Sequence, residues 1–507
     1  MLGFLHRYWE ERPLRLILLL SILFRTISVI FSQGYGMHDD HFLVIEAAQS
    51  WIDGFDYNNW LPKNATDGKP TGHSFFYVGL HCLLFYLLTA LKVLDPQVKM
   101  LLVRAIHALL SLTVVYIGFG LTERLSGRRD ARIVGLLLGL YWFFPILSVR
   151  NMVEMVCIPF SMISFWYLIR LRKKESMMRY VLAGFFIGIS IGIRTQMYLF
   201  LGGMGLAMLF RKEIIGAVIF GLSAILSLFL TQSADLFLWG KPFAEMAAYI
   251  EYNSTHYADY ITQSPFQYVL VLAGLLIPPV SLFLLFGFFR EWKKHLLIFL
   301  PGIIFIAFHS IYPNKQERFI LPVIPYLIIL GVIGWNRWMK KSNFWKKRVA
   351  LYKTCIGFFI VLNVVALLFV SPASTKKSRV DTSYYLGQQS NVEGILLERS
   401  EDYSCYMLPR YYSGDWTSPQ ICYSRGVRDQ LSDPLLKEMV LTKQLNYVLF
   451  IEERNIEERL ERFTNIFPNM RFKASFEPSY IDKLLHYLNP VNQNETIYVY
   501  EIPTEVK

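Results

Sequence analysis

Recurring long apolar runs limit what this chain can fold into more than any other feature. Nine stretches, 14–32, 101–121, 132–147, 155–171, 213–231, 266–289, 295–310, 319–335 and 349–371, are almost free of charge. One bilayer crossing takes about 20 mostly apolar residues, so the chain reads as an all-α polytopic membrane protein. Only 18% of its 507 residues are charged and 54% are hydrophobic, whereas a soluble domain carries roughly a quarter charged residues. Segment 180–210 is apolar except at Arg194-Thr195-Gln196, which predicts two short helices joined by a polar turn. The first run carries Arg25 and lacks a small-residue cleavage site, so it reads as a span and not as a removed signal.

Charge then orients the spans. The cations cluster at Arg7, Arg12 and Arg15, at Arg124 to Arg132, at 170–179, at Arg211-Lys212, at Arg290 to Lys294 and at Arg337 to Arg348. The positive-inside rule places all of these in the cytoplasm. The apolar run 75–94 decides whether that is self-consistent. If it crosses, every later basic loop moves outside; if it lies along or dips into the outer face, all of them stay with the N-terminus. The second reading predicts about 11 crossings. It gives a transmembrane domain over 1–371 with a first outer loop and interfacial helices at 33–94, and a non-cytoplasmic domain over 372–507. A full span at 75–94 with the odd crossing elsewhere, as in 180–210, is the alternative. The tail alternates strand-like runs (446–451, 496–502) with a helical stretch at 431–444, the pattern of a small α/β domain. Cys405 and Cys422 lie in that tail, where they form a disulfide in an oxidising compartment or stay as thiols. No metal-ligand spacing and no nucleic-acid-binding pattern is present, so no metal, cofactor or nucleic acid is expected despite the +12 net charge. Short loops and the lack of a retention signal favour a bacterial inner membrane over an ER membrane.

The outer loops hold the chemistry. The first contains His38-Asp39-Asp40-His41, followed by Phe42, Ile45, Ala48 and Trp51 at helical spacing. That spacing suggests an interfacial helix holding an acidic pair near the bilayer surface. A carboxylate there could be a general base towards a sugar hydroxyl, a metal ligand beside a histidine, or a helix cap. Arg150 and Glu154 lie one helical turn apart between two spans, where charges are either functional or mutually paired. Arg194 has a functional reading and a snorkelling one. The segment from His309 to Pro325 brings Lys315, Glu317 and Arg318 into a Pro-containing span. Two cations at headgroup level suit a phosphate, which Arg can grip with two donors; a charged interfacial turn is the plainer reading. Together these loops suit transfer from a lipid-linked phosphate donor, with departing phosphate stabilised by cations. Transport and a non-catalytic scaffold are the rivals from other classes.

These motifs resemble the type C glycosyltransferases, specifically glycosyltransferase family 22, over roughly 14–335. The family's last outer loop has a His-Lys-Glu-Glu-Arg-Phe type signature, similar to Asn314-Lys315-Gln316-Glu317-Arg318-Phe319 here. Met37-His38-Asp39-Asp40 is similar to its first-loop signature, Arg150 to Glu154 to its Arg-x-x-x-Glu turn, and Asp235 through Asn253 to its Asp-aromatic-Gly segment. Asn314 and Gln316 depart from His and Glu, Asp40 from Glu, and the first-loop Pro is missing. The resemblance implies inverting transfer of a hexose, most simply mannose, from a polyprenyl- or dolichyl-phosphate sugar to a glycan or glycolipid acceptor; glucose and aminoarabinose donors are the alternatives. It implies Asp39 as the catalytic carboxylate with Asp40 second. Donor and acceptor binding would involve His38, His41, Arg150, Glu154, Arg194, Asp235, Lys315, Glu317 and Arg318. The partners implied are the lipid-linked donor, the acceptor and membrane lipids.

Overall fold

The computed structural model describes residues 2–65, 68–170, 176–257, 259, 262–400, 405–424 and 432–503. The basic residues Arg172, Lys173 and Lys174 lie outside the described residues. The chain divides into two compact units. One comprises Met1–Ile30, Asn59–Leu83 and Leu101–Pro372; the other comprises Phe31–Asn58, Leu84–Met100 and Ala373–Lys507.

The first unit is helical. Among the described residues, five helices are long and apolar enough to cross a membrane: Pro13–Phe31, Pro96–Ser126, Ile214–Thr231, Glu317–Lys341 and Val349–Val370. Their burial ranks them: the apolar part of Glu317–Lys341 is 94% buried and that of Val349–Val370 only 11%, so the former is the unit's core and the latter its rim. Small residues let helices close on one another where lipid supplies no hydrophobic drive. Gly184, Gly188 and Gly192 of Met178–Ile193 leave no room for a Cβ against Phe220, Ala224 and Thr231. At the same contact Ser223 and Ser227 donate to the carbonyls of Val181 and Phe185 at 2.6 and 2.7 Å. The polar turn expected inside 180–210 is present: Met178–Ile193 ends at Arg194, and Tyr198–Phe210 begins after one 3-10 turn. Arg25 turns into the bundle, where it donates to Ser111 Oγ at 2.7 Å and to the Gly139 carbonyl at 2.9 Å, and does not snorkel outward.

Two runs that read as continuous spans are broken. Run 132–147 divides into Arg128–Leu140 and Phe144–Val149, and run 266–289 into Gln267–Leu275 and Val280–Arg290. Pro278 and Pro279 account for the second break, because neither has an N–H to continue a helix. Backbone freed inside an apolar bundle must find new partners, and the breaks supply them to each other. Tyr141 Oη donates to the Leu276 carbonyl at 2.6 Å and Trp142 Nε1 to Leu275 at 3.0 Å. Asn363 accepts from Trp142 N and donates to the Leu140 carbonyl. The run 75–94 holds one apolar helix, Phe75–Ala90, of 16 residues, shorter than the roughly 20 of a full crossing.

The second unit is built on a five-stranded sheet of β1 (Ile395–Arg399), β2 (Gln420–Tyr423), β3 (Tyr447–Ile451), β4 (Arg471–Phe476) and β5 (Ile497–Glu501), in the order β2-β1-β3-β5-β4. β1 runs parallel to β2 and β3, while β5 is antiparallel to β3 and β4. β1 and β3 are buried along their whole length, as expected of central parallel strands covered on both faces. Leu396, Val448 and Phe450 pack against the helices Asp433–Thr442 and Ile456–Ile466 on one face. Leu397, Tyr447 and Leu449 pack on the other. Cys405 and Cys422 form a disulfide, Cα to Cα 5.4 Å, which ties residue 405 to β2.

Candidate functional site

The acidic pair belongs to the sheet-bearing unit. His38–Asp40 opens a helical stretch that passes through one π turn, His41–Glu46, into Ala47–Ile52. Asp39 is exposed and Asp40 is buried, so one carboxylate of the pair faces outward and the other inward. His38, also exposed, stacks on Phe42 with 4.2 Å between ring centroids. The π turn has a local consequence. Residues five apart lie about 140° apart around an α-helix, whereas the wider π turn brings them to one side. It therefore lets His41 Nε2 approach Glu46 Oε1 to 3.6 Å, with both side chains fully buried. His41 is stacked between Tyr35 and Tyr412 at 4.6 and 5.6 Å. Glu46 Oε1 accepts the Tyr411 N–H at 3.2 Å. Further along, Trp416 donates to Asp53, Asp53 accepts from Gln49, and Gln49 accepts from Lys99. The acid-bearing helix is thus fastened to the segment preceding β2. Phe42, Ile45 and Ala48, whose spacing suggested a lipid-facing surface, are buried in protein. Periodicity marks burial but does not say whether lipid or protein covers the face.

The cations belong to the helical unit. Glu154, in the first turn of Val153–Arg170, is completely buried. Arg194 Nη2 lies 3.1 Å from Glu154 Oε1, and Arg318 Nε lies 3.5 Å from the same oxygen. Neither Glu154 oxygen accepts an aligned hydrogen bond, and Arg194 Nη2 donates none, although all three atoms are buried. The three charges sum to one net positive, held by proximity and not by a closed fork. Phe319 lies beneath both guanidinium groups, its centroid 4.9 Å from Arg194 and 5.6 Å from Arg318. Arg318 also donates through Nε to Gln316 Oε1 at 2.8 Å, and the Gln316 carbonyl accepts from Tyr268 Oη at 3.1 Å. Lys315 is buried and donates to the Tyr312 carbonyl. Arg150 is buried at the end of Phe144–Val149, and Glu317 is exposed at the start of the 3-10 turn Glu317–Val323.

Asp235 sits in another buried group of this unit. Its Oδ2 accepts the Glu245 N–H at 3.0 Å at the start of the helix Ala244–Thr255. Glu245 Oε2 in turn accepts from the N–H groups of Gly72 and His73 at 2.6 and 3.0 Å. Burial raises the pKa of both carboxyls against the pull of these N–H donors, and Asp235 adds to the rise at Glu245. Gly72 has a positive φ, and a Cβ there would press on the Tyr249 backbone, so the close approach to Glu245 depends on glycine.

Sequence reasoning missed Glu46, Glu245 and the Tyr411-Tyr412 pair. Glu46 carried the only available signal, a charge inside an otherwise apolar helical face. Among the described residues, no group of three or more His, Cys, Asp or Glu side chains is placed to hold a metal ion.

The helical membrane unit, the sheet-bearing unit and a matching family model together make this a type C glycosyltransferase. The chain belongs to the Alg9-like mannosyltransferase family, whose family model matches residues 16–390. It is therefore a glycosyltransferase and an integral, multi-pass membrane protein. Its fold is similar to that of ArnT from Cupriavidus metallidurans, solved with undecaprenyl phosphate bound. The TM-score is 0.57 and the identity 13%, covering 96% of this chain and 97% of that one. It is also similar to the oligosaccharyltransferase of Archaeoglobus fulgidus, solved with zinc and sulfate, at a TM-score of 0.54 and 13% identity, covering 89% and 69%. No curated protein sequence matches the chain significantly.

Proposed function

We propose that the protein transfers a hexose, mannose in the simplest reading, from a polyprenyl- or dolichyl-phosphate sugar to a glycan or glycolipid acceptor at the non-cytoplasmic face. The observation that carries this reading is the Glu154–Arg194–Arg318 group, two guanidiniums on one fully buried carboxylate. An excess of guanidinium over carboxylate suits a departing phosphate. Asp39 takes the proton of the acceptor hydroxyl. The acceptor oxygen bonds to the anomeric carbon from the side opposite the leaving group, the carbon–oxygen bond to phosphate breaks, and the lipid phosphate leaves with the negative charge. Configuration inverts. Arg150, Arg194, Lys315 and Arg318 bind the donor phosphate, and Glu154 positions two of them. His38 and Glu317, both exposed, contact the acceptor. Asp40, His41 and Asp235 shape these elements from within.

The lipid-phosphate donor has support from the structural neighbours: ArnT is solved with undecaprenyl phosphate and the archaeal AglB with a dolichol-phosphate. The Cys405–Cys422 disulfide suits an oxidising, non-cytoplasmic side for the tail, in keeping with the inward charge of the short loops. A panel of polyprenyl-phosphate sugars assayed on the purified full-length chain and on its Asp39→Asn variant tests the reading. The expected result is transfer with the mannose donor and its loss, by about a hundredfold or more, in the folded variant. Full activity in Asp39→Asn removes the base assignment, and transfer with another sugar alone removes mannose.

A further inference from the structure

The end of the helical unit that carries Arg124, Lys293 and Lys294 contains a cavity of about 530 Å³. Its walls come from the ends of several apolar helices and from the start of Leu296–Ile311. Leu168, Phe210 and Leu297 line it alongside the cations. The surrounding charges do not cancel these cations. Glu291 is engaged by Arg337 Nη1 at 2.5 Å, and Arg337 also donates to the Leu125 carbonyl at 3.0 Å. Glu213 is engaged by Arg211 at 2.8 Å, with Arg179 at 3.8 Å. Lys293 lies over the Trp292 ring, 5.3 Å from its centroid. Arg124, Lys293 and Lys294 make no ion pair among the described residues, and neither does Glu123, the acid next to Arg124. Three uncompensated cations thus share a cavity with leucine and phenylalanine side chains. A free inorganic anion would gain the charge but gain nothing from the apolar wall; a lipid phosphodiester uses both.

We propose that this cavity binds the headgroup of an anionic membrane phospholipid. Arg124, Lys293 and Lys294 meet the phosphate, and Leu168, Phe210 and Leu297 receive the glycerol and first acyl carbons. Basic pockets between membrane helices hold acidic lipid headgroups on these grounds. The site is independent of the transfer chemistry, which uses none of these residues. The test is native mass spectrometry of the full-length protein titrated with phosphatidylglycerol, phosphatidylcholine or inorganic phosphate. Phosphatidylglycerol is expected to bind about tenfold tighter than phosphatidylcholine, and the Lys293→Gln/Lys294→Gln protein to lose that preference. Arg124→Gln, on the helix Pro96–Ser126, is expected to weaken it in the same direction and serves as the test if the double variant does not fold. An unchanged preference in a folded variant overturns the proposal. So does displacement of phosphatidylglycerol by equimolar inorganic phosphate, which would make this a site for a free anion.

Discussion

Glu46 and Glu154 are both completely shielded from solvent, yet their surroundings differ. Glu46 lies in the sheet-bearing unit beside a histidine and one backbone N–H, in a setting of aromatic rings. Glu154 lies in the helical unit under two guanidinium groups. The first carboxylate closes a packing arrangement; the second is shared by two arginines. Burial alone therefore does not mark a functional acid.

The same substitution at both positions should break the symmetry. Glu154→Gln removes the carboxylate shared by Arg194 and Arg318. Breaking a buried ion pair by deleting one partner costs about 3–5 kcal/mol, and a thermal or denaturant unfolding measurement in detergent should show a loss of that order. Arg318→Met in the same background should recover part of it, because it removes one of the stranded charges. A Glu154→Gln protein as stable as the parent would mean that the arginines are neutralised by something other than Glu154.

Glu46→Gln should cost much less. The amide keeps an oxygen for the Tyr411 N–H and strands no cation, so the expected loss is about 1 kcal/mol. The effect should also extend to transfer. Loosening the π turn His41–Glu46 shifts the exposed Asp39 just before it, so kcat should fall more than KM rises. Equal losses of stability for the two glutamine variants would end the contrast between them.

The same contrast explains what was legible in the sequence. Apolar runs and basic loops announced a helical membrane unit, and strand-like runs announced the sheet, because both depend on local periodicity and composition. The turn at Arg194-Thr195-Gln196 was legible because polar residues interrupt an apolar run. The breaks at Tyr141 and Leu276 were not, since nothing local shows that each would hydrogen-bond the other's freed backbone. The cations Arg194 and Arg318 stood out individually, but their shared contact with Glu154 joins positions far apart in the chain. Glu245 was not legible because its partners, the Gly72 and His73 N–H groups, lie a long way off in sequence. The apolar face of the acid-bearing helix was seen, but its covering by protein could not be told from a covering by lipid.

Gln316 gives the finest form of the comparison. The loop signature it resembles has a glutamate there, and this chain has a neutral amide whose Oε1 accepts from Arg318 Nε. A glutamate in that place would keep the hydrogen bond and add a negative charge beside Arg318. The three charges and the new carboxylate would then sum to neutral. Gln316→Glu should therefore leave the fold intact and weaken the grip on an anionic donor. A loss of about 1 kcal/mol corresponds to roughly a fivefold rise in donor KM, with a smaller change in kcat and a weaker dependence on salt. Steady-state kinetics against a lipid-phosphate sugar at two ionic strengths separates the outcomes. A higher KM with reduced salt sensitivity ties the excess charge to donor binding. An unchanged KM would mean that the positive charge around Glu154 serves packing alone.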